Sequence, residues 1–211
     1  ASGRPGPVLI DIPKDVGQEM FEYTPVAPGS VVPRGFRQPQ PPEDRSVAAA
    51  LELIEKAERP LLYVGGGAVS AAAHDNLQLL AERYQLPVTT TLMGKGAFDE
   101  NHPLSVGMLG MHGTAFANFA VTDCDLLIAV GARFDDRVTG KLDTFAPKAQ
   151  VVHFEIDPAE IGKTRRADVA VLGDLGLSLT RLVALSLQRS VEPRTSSWLQ
   201  TIAEWKQRYP L

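Results

Sequence analysis

The chain has 211 residues, 44% of them hydrophobic, and a formal net charge of -4. That length and apolar content can bury a full core, so a soluble globular domain with short appended segments is expected, and the weakly acidic balance carries no basic footprint for nucleic acid or an anionic membrane surface. No apolar run nears the roughly 18 residues a membrane span needs and no export-type leader opens the chain, while the single cysteine, Cys124, excludes an internal disulfide and a multi-cysteine metal site; the expected compartment is the cytoplasm.

Taken in order, GRPGPVLIDIPKDV (residues 3–16) contains a strand-like run at 8–12 hemmed by prolines, which read as the last strand of a preceding module over residues 1–20. Residues 21–42 hold Pro25, Pro28, Pro33, Pro39, Pro41 and Pro42 with little periodicity, the pattern of an extended linker. From residue 43 the composition changes. Asp44 or Ser46 can cap a helix whose apolar positions Val47, Ala50, Leu51 and Ile54 fall at helical spacing, with Arg59-Pro60 as its stop.

Short apolar runs then alternate with amphipathic segments, as in strands joined by crossover helices. Strands are predicted over 61–64, 88–92, 126–130, 150–156 and 169–172, and helices over 70–84, 113–121 and 175–187. The fold class is therefore α/β, doubly wound and Rossmann-like: a mostly parallel sheet of five or six strands with helices on both faces, spanning residues 43–190. Residues 191–211 carry Trp198 and Trp205 on a further helix, whose indoles are expected to pack on a neighbour.

The chemistry-bearing residues follow the strands. DLLIAVGARFDDRVTG (residues 125–140) is a continuous apolar run ended by Gly131 and followed by Arg133, Asp135, Asp136 and Arg137. In open α/β sheets ligands dock at the carboxyl end of strands, and the alternative for this cluster is a solvated, ion-paired loop. Gly65, Gly66 and Gly67 follow the first strand, where backbone amides without Cβ atoms can approach a phosphate. An ordinary NAD fingerprint is excluded, because the second strand ends in Thr90, Thr91, Leu92 and Met93 rather than in an acid for the ribose.

Met108-Leu109-Gly110-Met111-His112-Gly113 gathers thioethers that can pack on a planar ring, and its histidine is open to a capping or surface role. Glu155 and Asp157 can accept hydrogen bonds from ribose hydroxyls or cap the segment that Pro158 opens. Asp174 repeats the acidic theme after the fifth strand. No nucleophile is paired with a base and no metal constellation is present. The residues describe a nucleotide-cofactor cradle without a reaction centre.

VGGGA (64–68), TLMGKG (91–96), MLGMHGT (108–114), GARFDDRVTGKL (131–142) and EIDPAEIGK (155–163) together resemble the central domain of the acetohydroxyacid synthase (acetolactate synthase) catalytic subunit family. That family consists of thiamine-diphosphate carboligases that also carry FAD, and residues 3–16 resemble the end of its pyrimidine-binding domain. The resemblance implies flavin contacts at Gly65, Gly66, Gly67, Thr91, Leu92, Met93, Leu109, Gly110, Met111, His112, Gly131, Ala132, Arg133, Asp135, Glu155, Ile156, Asp174 and Leu175. It implies that Arg137 pairs with the carboxylate of the second 2-oxo acid, with Asp136 beside it at the substrate channel. It also implies thiamine diphosphate and magnesium on flanking domains, a homodimer or tetramer, and a regulatory small subunit. The family's linker arginine aligns with Val32 here, with Arg34 two residues on.

On this resemblance the whole enzyme condenses pyruvate with pyruvate or 2-oxobutanoate in branched-chain amino acid biosynthesis, and the 211-residue chain alone is expected to be inactive. The rival expectations are a sister enzyme, such as glyoxylate carboligase or pyruvate oxidase, and a cofactor-free scaffold domain.

Overall fold

The computed structural model describes residues 4, 6–27, 29–31 and 40–210, in two compact units divided between Pro39 and Gln40. Val32 and Arg34 lie outside the described residues. In the first unit the one helix among the described residues is α1 (Lys14–Gln18), which buries no side chain. Residues 8–12, predicted as a strand, form none there: Val8, Leu9, Ile10 and Ile12 are all exposed. A strand exists through its ladder partner, and an apolar run without one has nothing to donate to or accept from.

The second unit runs in the order α2 (Asp44–Lys56), β1 (Pro60–Val64), α3 (Gly66–Ser70), α4 (His74–Tyr84), β2 (Val88–Thr90), β3 (Ser105–Met108), α5 (Ala115–Asp123), β4 (Leu126–Val130), α6 (Asp136–Thr139), β5 (Gln150–Glu155), β6 (Val169–Leu172), α7 (Leu175–Ser186) and α8 (Ser196–Arg208). The six strands form one sheet in the order β3-β2-β1-β4-β5-β6, and every neighbouring pair is parallel. The predicted α/β class with a parallel sheet is borne out. The chain leaves β1 toward β2 on one side and returns to β4 on the other, so the order reverses between β1 and β4. In open α/β sheets that reversal opens a crevice at the carboxyl ends of the strands.

Apolar continuity in the sequence becomes burial on both faces. Every residue of β1 and β4 is buried, and alternate side chains serve opposite layers. Leu62, Val64, Ile128, Val130, Val152 and Phe154 join one core with α2, α4 and α7, which supply Val47, Leu51, Leu77, Leu80, Leu179 and Leu182. Leu61, Tyr63, Leu127, Ala129 and Val151 join the other with α5 and α8. Each large aliphatic side chain so buried contributes about 1.5–3 kcal/mol. Trp198 of α8 is 3% exposed and donates its indole N–H to the Pro60 carbonyl at 3.0 Å, so the tail helix covers the second face of the sheet.

Two local departures matter for the site. The helix predicted over 70–84 is α4, over His74–Tyr84, and a separate short helix, α3, precedes it over Gly66–Ser70, with Ala72 between them at a left-handed φ of 48°. β3 is an additional edge strand, inconspicuous in the sequence because it is four residues long and half-exposed; its register against β2 shifts between Val88 and Thr90. Gly107 within it has a φ of 72°, the backbone that a bulge calls for.

The tightest constraint lies at the ends of β1 and β4. A Cβ on Gly65 would fall 2.2 Å from the Gly131 carbonyl oxygen, whereas one on Gly96, with φ at 87°, meets nothing within 4 Å. Gly65→Ala is expected to cost about 2–3 kcal/mol through overpacking, against about 1 kcal/mol for Gly96→Ala from backbone conformation alone. Thermal melts of the two variants check the ranking.

Candidate functional site

Because all six strands are parallel, the turns that follow them share one edge, and the predicted site residues lie on those turns, at the helix starts they lead into or, for Glu155, at the last position of β5. At its centre two backbones touch. Gly65 donates to the Val130 carbonyl and Gly67 to the Gly131 carbonyl, both at 3.0 Å, and Gly131 turns with a φ of 55°. Two of the three amides in the glycine triplet are thus engaged within the edge itself. The glycines are required first because the β1 and β4 turns pass at backbone contact, and only secondarily as a possible anion cradle.

On the β2 side, Thr91 caps a tight turn by accepting the Gly94 N–H at 2.9 Å. This lifts Leu92 and Met93 into solvent at 69% and 76% exposure, with the Met93 Cβ 3.0 Å from where a Cβ of Gly66 would stand. The turn after β3 is held by a residue that sequence reasoning did not single out. Asn118 on α5 accepts the Gly110 N–H and donates to the Gly110 carbonyl, each at 3.0 Å. Gly110 has a φ of 100°, and a Cβ there would lie 3.3 Å from the Arg137 carbonyl, so the methionine-rich turn and the RFDDR segment meet. Leu109 is buried, while Met111 and His112 are exposed.

After β4, Ala132 and Phe134 point inward and Arg133, Asp135, Asp136 and Arg137 outward. Asp135 accepts the Arg137 N–H at 3.1 Å and caps α6. That bond, with the nearby Arg133 and Arg137 charges, holds its carboxyl below the usual carboxylate range. Arg137 and Asp136 are 3.9 Å apart with side chains 84% and 88% exposed, a pair that contributes little in water and leaves both groups open to a ligand. Tyr63 donates its hydroxyl to the Arg133 carbonyl at 3.1 Å from below; burial raises its pKa, which keeps it a donor.

The acids of the last two turns are largely engaged by backbone. Glu155, 8% exposed, accepts the amides of Ile156 at 2.9 Å and Asp157 at 3.1 Å. Asp174 caps α7 by accepting the Leu177 N–H at 3.0 Å, and Leu175 is buried. His153, a second residue outside the predicted set, lies wholly buried beneath this edge with Nε2 3.0 Å from the Ala132 carbonyl. Burial lowers its pKa against an opposing contribution from Glu155. Both missed residues are single polar side chains set in otherwise apolar local patterns, and nothing in their spacing marks them.

The edge therefore presents exposed guanidiniums, exposed soft apolar side chains and a glycine-lined backbone, and on the described residues it pairs no nucleophile with a base. Cys124 is no candidate either, since burial pushes its thiol up to about 12. Two surface cavities lie away from this edge. One of about 520 Å³ sits between the amino ends of β2 and β3 and helix α8, and one of about 500 Å³ sits among Glu55, Tyr84 and Arg189. Neither contains a residue of the edge. A third, of about 520 Å³, sits beside Gly96, Phe98 and Glu100 beyond the turn after β2. Among the described residues no helix is long and apolar enough to cross a membrane.

The family model described as "Thiamine pyrophosphate enzyme, central domain" matches residues 47–182. Over 211 residues the chain is 81% identical to the acetolactate synthase large subunit of Parasynechococcus marenigrum, covering 100% of this chain and 34% of that protein. It is 54% identical to the acetolactate synthase large subunit of Porphyra purpurea, covering 99% of this chain and 36% of the relative. It is 47% identical to the probable acetolactate synthase large subunit of Methanocaldococcus jannaschii, covering 97% and 35%. The chain thus spans about a third of the length of these relatives.

The buried imidazole gives stability a pH dependence of definite sign. The folded pKa of His153 lies below its ordinary 6.5, so between the two values the unfolded chain binds a proton that the folded chain does not. Stability should fall as pH drops from about 6.5 toward the folded pKa and level off below it. Melting temperatures across that range should decline more for the native chain than for His153→Gln.

Proposed function

The chain belongs to the family of thiamine pyrophosphate enzyme central domains, and on that premise we propose that it is the middle domain of an acetolactate synthase large subunit, holding FAD along the carboxyl edge of its sheet. The observation that carries the reading is convergence. The turns after β1, β2, β3 and β4 are in contact around Gly65, Gly66, Gly110 and Gly131, and they bear the residues that the resemblance assigns to the flavin other than Glu155, Ile156, Asp174 and Leu175, which lie at the ends of β5 and β6 on the same edge.

The side chains fit such a group. Leu92, Met93 and Met111, each more than two-thirds exposed, offer an apolar surface to a planar ring. The exposed Arg133 suits a diphosphate. Gly65, Gly66, Gly67, Gly110 and Gly131 allow close backbone approach. Glu155 and Asp174 stand at the ends of β5 and β6, where the carboxylate lone pairs left over from their backbone amides would receive hydroxyl groups of a ribityl or ribose chain. FAD supplies shape rather than electrons here, because condensing two 2-oxo acids with loss of carbon dioxide involves no net redox change. Arg137, on the outer face of α6, pairs its guanidinium fork with the carboxylate of the second 2-oxo acid, and Asp136 borders the same channel.

In the complete protein, flanking domains would bind thiamine diphosphate and magnesium, the substrates would be pyruvate with pyruvate or 2-oxobutanoate, and the assembly would be a cytoplasmic homodimer or tetramer with a regulatory small subunit. A cofactor-free scaffold is the second reading. The full engagement of the Gly65 and Gly67 amides favours it, since the triplet needs no ligand to account for it.

Flavin titration separates the two. The native chain should quench FAD fluorescence on binding, and Arg133→Ala should weaken that binding about tenfold through loss of a charged hydrogen bond; a chain that takes up no flavin at all is the scaffold. In the complete enzyme, Arg137→Ala should raise the KM for the second 2-oxo acid about tenfold, while the isolated chain should form no acetolactate.

A further inference from the structure

We infer that His153 is a positioning residue for the ligand edge: its Nε2–H, donated to the Ala132 carbonyl, ties the turn after β4 to strand β5 beside Glu155, the residue that holds the turn after β5. The inference rests on the FAD reading for its consequence and on geometry for its substance. In the register of the sheet His153 stands between Ala129 of β4 and Ala170 of β6, small neighbours that leave room for a ring. It is 0% exposed, and the Phe134 ring meets it edge-on with centroids 5.1 Å apart.

The protonation state follows from the partners. A carbonyl oxygen only accepts, so the nitrogen 3.0 Å from Ala132 carries the hydrogen. Nδ1 then presents a lone pair, and that atom is buried with no hydrogen-bond partner among the described residues. Charging the ring would place a second hydrogen there with nothing to receive it. The charged groups that bear on the ring are Glu155 and Glu160, and the lowered pKa shows that burial outweighs both. Glu155 stands 3.8 Å from Nε2, beyond hydrogen-bond range, and contributes its field alone.

A buried polar ring with one orphaned atom is costly relative to an apolar side chain of similar size, so its place in the run VVHFE calls for a compensating task. That task is visible in what it joins. The amides of Ile156 and Asp157 are held by Glu155, Glu155 faces His153, His153 holds Ala132, and Tyr63 holds the next carbonyl, that of Arg133. Ala132, Arg133, Glu155 and Ile156 all belong to the proposed flavin contacts, so an imidazole that touches no ligand anchors one of them, Ala132, directly and stands beside Glu155, which holds the Ile156 amide.

Two variants and two readouts test this on the 211-residue chain. His153→Leu keeps bulk and removes the donor, and His153→Gln keeps an N–H of similar reach. Hydrogen exchange is measured without ligand across residues 131–137 and 155–157, and FAD affinity is measured where melts show each variant folded. The Leu variant should exchange those amides about tenfold faster and bind FAD about tenfold more weakly, with Gln restoring both to within about threefold.

Native exchange and native affinity in a folded Leu variant would overturn the proposal, and so would a Gln variant no better than Leu. If the Leu variant does not fold, nitrogen NMR of the native chain decides: a neutral Nε2–H tautomer at about pH 7.5 is required, and a charged ring or an Nδ1–H tautomer sinks the idea. Absent flavin uptake by the native chain alongside the expected exchange pattern would remove the FAD reading and leave the positioning role in place.

Discussion

The contact between the β1 and β4 turns governs the rest of this domain. A parallel sheet whose strand order reverses must part its crossovers at one point, and here the chain passes that point backbone against backbone. A Cβ on Gly65 would reach within 2.2 Å of the Gly131 carbonyl oxygen, one on Gly67 within 2.8 Å of the Gly131 Cα, and one on Gly94 within 2.2 Å of the Val64 carbonyl oxygen. Three turns therefore close on one another without side chains between them. Their outward side chains are pushed to the rim, where Leu92, Met93 and Arg133 stand exposed.

The same edge divides its polar groups by task. Asp135, Asp174 and Glu155 receive backbone N–H groups, which orients the turns, because an unpaired amide near a sheet edge is expensive. Arg133, Asp136 and Arg137 point outward on the short helix and its approach. An edge built this way can recognise anionic and planar groups. On the described residues it offers no nucleophile with its base. The chain spans about a third of the length of its relatives.

Beneath the rim, Tyr63, His153 and Asn118 act upward through carbonyls and amides: Arg133, Ala132 and Gly110 are each held by a side chain from a different element. Two of those elements are strands and one is a helix packed on the sheet, so the turns inherit the rigidity of the core. Sites supported from regular structure hold their geometry better than sites made of loops alone.

Much of this was readable from local pattern. The apolar runs of β1, β4 and β5 announce strands covered on both faces, and the spacing of Val47, Ala50, Leu51 and Ile54 announces α2. The ordered motifs place the chain in its family. Other features were beyond local pattern: β3 is short, half-exposed and irregular in register; a short helix, α3, forms over the glycine triplet ahead of the expected one, with the turn at Ala72 between them; and residues 8–12 have strand composition without a strand. Periodicity in a sequence reports which faces want burial, and that alone determined the elements and the α/β class. Strand order, the backbone that each glycine must clear, which carboxylates are consumed as caps, and the work of His153 and Asn118 were decided by tertiary structure, because each depends on a partner from another element of the fold.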